Sequence, residues 1–235
     1  MEDLQPAYVL HSRLYRESSL IVELFSRDYG IVPAVARGVR GTKSNHKRAL
    51  LQPFHGLLCR WRGRGEMVTL TDIDTHTTAI QLNKEALYCG LYINELLMRL
   101  IHKHDPHQQL FDAYAGLMSE LQSNESVEAP LRQFEMQLLD DLGYGLTLDY
   151  DSQGLTIDPL GDYQLTVQGA FERVENLSTT IMTNRCFKGA TLIAIMHQHW
   201  NDPEVLSAAK QLMRLVLTPL LGDKPLQSRQ LFKKQ

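Results

Sequence analysis

No apolar run in this chain approaches the ~18 residues that a membrane-spanning helix needs. Its opening stretch, MEDLQPAYVLHSR, is acidic and has no apolar core of the kind that marks a protein for export. A cytoplasmic protein without membrane contact is expected. Cysteine is scarce: Cys59, Cys89 and Cys186 are odd in number and far apart. That excludes a disulfide framework and fits a reducing compartment. No two cysteines stand in a CxxC pair, which excludes a zinc ribbon or finger. No GxxxxGK followed by Ser or Thr occurs, so work driven by ATP is not expected. No GxSxG elbow or recognisable cysteine nucleophile motif occurs either. The chain is not expected to be an enzyme, and no cofactor is expected.

The most telling absence is local. Between Tyr29 and Gly65 there is no Asp or Glu, yet the stretch carries Arg37, Arg40, Lys43, Lys47, Arg48, Arg60, Arg62 and Arg64. The whole chain has a net charge of -3, so composition does not produce this block. Segregated positive charge implies a polyanionic partner, and nucleic acid is the commonest.

At 235 residues the chain has room for one large domain or two small ones. The first eighty residues read as short strands: Ala7–Leu14, Ser19–Ser26, Gly30–Val39, Phe54–Arg62 and Glu66–Ile73. Gly63-Arg64-Gly65 reads as a hairpin turn, and Arg40–Lys47 as a mobile basic loop. Five short strands in so little chain predict an OB-type β-barrel over residues 1–80, since closure removes most exposed edges. From Lys84 the period becomes helical, with helices predicted at 84–103, 107–121, 127–142, 190–200 and 203–221. Residues 146–186 lose that regularity and read as a small irregular subdomain. The expectation is an α+β protein, with the barrel followed by an all-helical domain at 81–235 that holds the irregular insert.

Several clusters have the residue types of chemistry without its spacing. Asp140-Asp141 and Asp149/Asp151 are better read as solvated acids than as a paired-carboxylate site. His102, His104 and His107 could hold zinc, but HKHDPHQQ also reads as a polar loop between helices. His197 and His199 flank Gln198 in the same ambiguous way. In the basic block, Phe25 and Phe54 are expected in the barrel core. Trp61, between Arg60 and Arg62, is a candidate for stacking a base.

Three strings now converge: GLYINELL (Gly90–Leu97), LRQFEMQLLDDLGYG (Leu131–Gly145) and KPLQSRQLF (Lys224–Phe232). With the opening YVLHSRLYRESSLIVELFSRDYG (Tyr8–Gly30), they resemble the RecO recombination mediator family over nearly the whole chain. The resemblance implies an N-terminal OB-fold and a helical C-terminal domain. It implies binding of single- and double-stranded DNA, annealing of complementary strands, partnership with RecR, and indirect service to RecA. It further implies contact with the C-terminal tail of single-stranded-DNA-binding protein, and residence at the nucleoid. Some members of the family carry a four-cysteine zinc site in the irregular subdomain. Here that region offers only Cys186, so no metal is carried over. The alternative from the residues alone is an RNA-binding OB-fold protein of translation or RNA processing.

The expected phosphate contacts are Arg37, Arg40, Lys43, Lys47 and Arg48, with Arg60, Arg62 and Arg64 secondary. The expected partner site is Arg132, gripping an acidic tail's carboxylate beside a pocket that includes Leu131 and Leu139.

Overall fold

The computed structural model describes residues 3–41, 44–123, 126–174 and 184–231. The chain forms two compact units: Met1–Val127 together with Pro225–Gln235, and Glu128–Lys224.

The first unit begins with a closed five-stranded barrel. Its strands are β1 (Gln5–Tyr15), β2 (Ser19–Ser26), β3 (Gly30–Ala36), β4 (Gly56–Arg62) and β5 (Val68–Thr75), in the order β1-β2-β3-β5-β4. β1 returns to β4, with Gln5 opposite Cys59, and so closes the ring. All pairings are antiparallel except β3 with β5. Register slips at Val9/His11 in β1 and at Arg60/Trp61 in β4 supply the extra bend that closure requires. This is the OB-type barrel that the strand pattern predicts.

Period-two alternation decides which residues fill it. Val9, Val22, Leu24, Val32, Ala34, Leu57, Cys59 and Trp61 meet inside the barrel. The opposite face of β1 and β2 is buried as well. Tyr8 and Phe25 pack against Phe111 and Tyr114, with ring centroids 5.0–6.0 Å apart. Those partners lie on α3 (Gln108–Ser123), which with α2 (Lys84–Leu100) packs on the barrel wall. Burial on both faces explains why SLIVELFS reads as a nearly continuous apolar run.

The segment expected to be a loop from Arg40 to Lys47 is partly helical. A six-residue helix, α1 (Asn45–Leu50), carries Lys47 and Arg48 and buries none of its own residues. A helix this short has no amphipathic stripe to betray it, and Leu51 just beyond it supplies the buried anchor.

Helix α2 is a junction. Asn94 is buried, donates to the Leu10 carbonyl at 2.7 Å and accepts from the Tyr114 hydroxyl at 2.7 Å. Glu95 accepts from the backbone N–H groups of Gln227 and Ser228, both at 2.9 Å, and from the Ser228 hydroxyl at 2.7 Å. It thereby caps α7 (Ser228–Leu231) and ties the end of the chain to α2. Gly90 lies so near Leu82 and Phe54 that an added Cβ would sit 2.7 and 2.8 Å from their side-chain carbons.

The second unit holds α4 (Glu128–Asp141), α5 (Gly189–Met196) and α6 (Pro203–Leu221). Tyr144 N–H reaches the Leu139 carbonyl at 2.8 Å and Gly143 N–H reaches Asp140 at 3.0 Å, a Schellman ending for α4. It requires the positive φ of 78° that Gly143 adopts. Asp202 caps α6 by accepting from Glu204 N–H at 2.8 Å, with Pro203 at the first position.

The insert at 146–186 is not irregular throughout. β6 (Asp162–Leu165), β7 (Phe171–Val174) and β8 (Cys186–Lys188) form an antiparallel sheet in the order β7-β6-β8. The C-terminal half is therefore helical with a small sheet, and not all-helical. Strands of three or four residues are too short to show an alternation that composition can resolve.

Candidate nucleic-acid interface

The barrel displays most of the basic block on its surface. Arg37 is exposed just past β3, Lys47 and Arg48 are exposed on α1, and Arg62 and Arg64 are exposed where β4 turns toward β5. Among the described residues, no acid lies within ion-pair distance of these five cations. Lys43 lies outside the described residues. The other two cations are engaged. Arg60 faces Asp72 across the β4–β5 ladder at 3.6 Å, an exposed pair of small energetic weight. Arg40 donates from Nη1 to the Arg16 carbonyl at 2.8 Å, and its own N–H reaches the Ser18 carbonyl at 3.2 Å.

Trp61 is not a stacking platform. It is 4% exposed, lies in the barrel core and meets Tyr29 edge-on at 5.5 Å. Strand alternation is the reason: Arg60 and Arg62 point outward, so the residue between them points in. Phe25 and Phe54 are buried, but not inside the barrel as expected: Phe25 packs on Phe111 and Tyr114 of α3, and Phe54 lies beside Gly90 of α2.

Arg40 leads to residues that the sequence reading passed over. Tyr15 ends β1 and Arg16 opens the β1–β2 turn, with the Arg16 guanidinium carbon 5.0 Å from the Tyr15 ring centroid. Tyr15, Arg16, Glu17, Ser18 and Ser19, together with Val35 and Arg37, line a groove of about 530 Å³. The turn connecting β1 to β2 is one of the loops with which OB barrels meet oligonucleotides. Arg16 stands thirteen residues before the acid-free block opens, beside Glu17, and so reads in sequence only as part of a polar separator.

The other candidate clusters have local structural tasks. Asp151 accepts from the N–H groups of Gln153 and Leu155, both at 2.9 Å, which closes a turn. Burial raises the Asp140 carboxyl above its ordinary range. His104 N–H bonds the Ile31 carbonyl at 3.1 Å, so the HKHDPH segment is laid along the barrel. Among the described residues, no group of three or more His, Cys, Asp or Glu is arranged to hold a metal ion. Burial pushes the Cys59 thiol up to about 12, leaving it protonated and unreactive at neutral pH.

Arg132 is not a free cation at a pocket rim. It is 6% exposed, and its guanidinium meets the buried Glu135 carboxylate with two contacts of 3.1 Å. Leu131 and Leu139 are buried too. A carboxylate reaching Arg132 would have to displace Glu135, so the tail grip expected from the sequence has a competitor already in place.

Comparison with known proteins fits this architecture. Residues 1–79 match the family profile "Recombination protein O N terminal", and residues 82–230 match "Recombination protein O C terminal". The DNA repair protein RecO of Pseudomonas aeruginosa is 42% identical over 228 residues, covering 97% of this chain and 94% of that protein. The DNA repair protein RecO of Dechloromonas aromatica is 42% identical over 234 residues, covering 98% and 95%. That of Cellvibrio japonicus is 42% identical over 231 residues, covering 98% and 96%. Among the described residues, no helix is long and apolar enough to cross a membrane. With both halves of the chain matched in order and the barrel formed where the N-terminal profile falls, the chain belongs to the RecO family of DNA repair proteins.

Proposed function

We propose that this protein binds single- and double-stranded DNA through its barrel and anneals complementary strands. With RecR, it helps load RecA onto strands coated by single-stranded-DNA-binding protein. The observation that carries this reading is the acid-free block: five exposed cations, free of acid partners among the described residues, on one small barrel. Annealing joins two polyanions, and their repulsion is the main barrier. A cationic surface that holds one strand lowers the repulsion felt by the second. Charge neutralisation of this kind needs no nucleophile, metal or nucleotide hydrolysis, so the protein works as a mediator and not as an enzyme. Contact with the acidic tail of single-stranded-DNA-binding protein belongs to the same reading, since it would bring the barrel to coated strands.

The test is annealing of complementary strands coated with single-stranded-DNA-binding protein, with the tail present or deleted, without ATP. The reading predicts annealing that depends on the tail and falls steeply with salt. Annealing that requires ATP, or a protein inert toward coated and bare strands alike, would contradict it.

A further inference from the structure

We propose that the groove between the β1–β2 turn and the end of β3 seats one unpaired nucleotide. Its base would stack on the Arg16 guanidinium, and its phosphate would meet Arg37. The proposal rests on the reading of the barrel as a DNA-binding surface and narrows it to one subsite.

Three observations converge on the groove. Its volume of about 530 Å³ falls within the range of roughly 300–1,000 Å³ typical of small-ligand sites. Its lining carries two arginines, Arg16 and Arg37, against one acid, Glu17, so it is electropositive. It offers a flat cation for stacking, because the Arg16 guanidinium lies over the Tyr15 ring and is backed by it.

The backbone adds a fourth observation. Arg16 has φ of 49°, a left-handed conformation that is costly for any residue but glycine. Arg40 holds the turn in this state from two points, through its Nη1 bond to the Arg16 carbonyl and its N–H bond to the Ser18 carbonyl. A turn strained at one residue and clamped by another is a preorganised turn. Arg40 is thus a positioning residue for Arg16. Stacking on a guanidinium plane needs an exposed base face, and bases within a duplex have none to offer. The groove therefore distinguishes single strands from duplex.

The experiment is fluorescence anisotropy at one fixed salt concentration with three probes: an oligothymidine strand, an abasic strand of equal length, and a duplex. The main variant is Arg16→Gly. Glycine accepts the positive φ without strain, so the turn keeps its shape while the side chain is lost. Arg16→Gly should weaken oligothymidine binding about tenfold, the scale of one stacked base. Abasic and duplex binding should fall by a smaller factor, because only the charge of Arg16 is lost there and no stacked base. Tyr15→Ala should reproduce the pattern more weakly, and Arg37→Ala should weaken oligothymidine and abasic strands alike. Equal losses on oligothymidine and abasic strands for Arg16→Gly, or no loss on either, would overturn the subsite while the parent's binding keeps the barrel reading intact. A parent protein that binds none of the three probes would overturn both.

Discussion

The barrel surface and the α2 junction are built for opposite ends. On the barrel, Arg37, Lys47, Arg48, Arg62 and Arg64 stand in solvent and meet no acid among the described residues. At the junction, Gly90, Asn94 and Glu95 are packed or fully engaged, and each joins parts of the chain that are distant in sequence. The contrast explains what makes the family recognisable. GLYINELL holds Asn94, which bridges the barrel and α3, and Glu95, which catches Ser228 of KPLQSRQLF. Two of the strings that resemble the family are therefore the two sides of one structural contact. The surface expected to meet DNA is specified more loosely, because a phosphate needs positive charge nearby and not one particular residue.

If this division is right, substitutions at buried junctions should act on stability and surface substitutions on binding. The largest stability effect is expected at Arg132→Ala. It removes the guanidinium that faces the buried Glu135 carboxylate, and breaking one partner of a buried pair costs about 3–5 kcal/mol. Chemical denaturation measures this, and loss of under about 1 kcal/mol would mean that the pair is not buried as described. Asn94→Leu should cost about 2–4 kcal/mol, since it removes two buried hydrogen bonds, to the Leu10 carbonyl and from the Tyr114 hydroxyl. The same variant should keep the salt dependence of DNA binding in the fraction that folds.

Glu95→Gln should cost about 1 kcal/mol, because an amide oxygen replaces only part of a carboxylate that accepts three bonds. Burial alone would raise the Glu95 carboxyl. The bonds from Ser228 and Gln227, with the charge of Arg99, outweigh it and hold the carboxyl below its ordinary 4.5. A lowered carboxylate stabilises the fold above its unfolded value and loses that contribution as pH falls through the folded one. Attachment of the 225–231 segment should therefore weaken as the pH drops below about 4.5, in the parent and not in Glu95→Gln. Hydrogen exchange at Ser228 follows it directly, and equal acid sensitivity in both proteins would contradict the latch. The smallest effect is expected at Lys47→Ala, within about 0.5 kcal/mol in stability, because its helix buries nothing.

The barrel was legible because its signals are local and repeated. β2 spans Ser19–Ser26 as the apolar run indicates, and the other strands differ from expectation only at their ends. Helix α1 and the β6–β8 sheet were not legible, since elements of three to six residues hold too few repeats of either period to stand out. Trp61 shows a signal present but misread. Its arginine neighbours suggested a stacking role, while the same alternation that exposes them turns it inward. Arg132 shows a signal that sequence cannot resolve, because an Arg–Glu pair three residues apart looks the same on a solvated face and in a core. Arg16 was hidden by distance: only folding brings the β1–β2 turn to the end of β3.

Strand binding by the exposed cations is tested most directly by the salt dependence of single-strand affinity in the parent and in a variant with Arg37, Lys47, Arg48, Arg62 and Arg64 replaced by Ala. Five phosphate contacts on a single strand give a slope of log K against log salt of about -3.5, from roughly 0.7 per contact. The slope should be at least that steep in the parent and flattened by about 3.5 in the variant, with thermal stability unchanged. Equal slopes in the two proteins would place the DNA elsewhere and contradict strand binding by these cations.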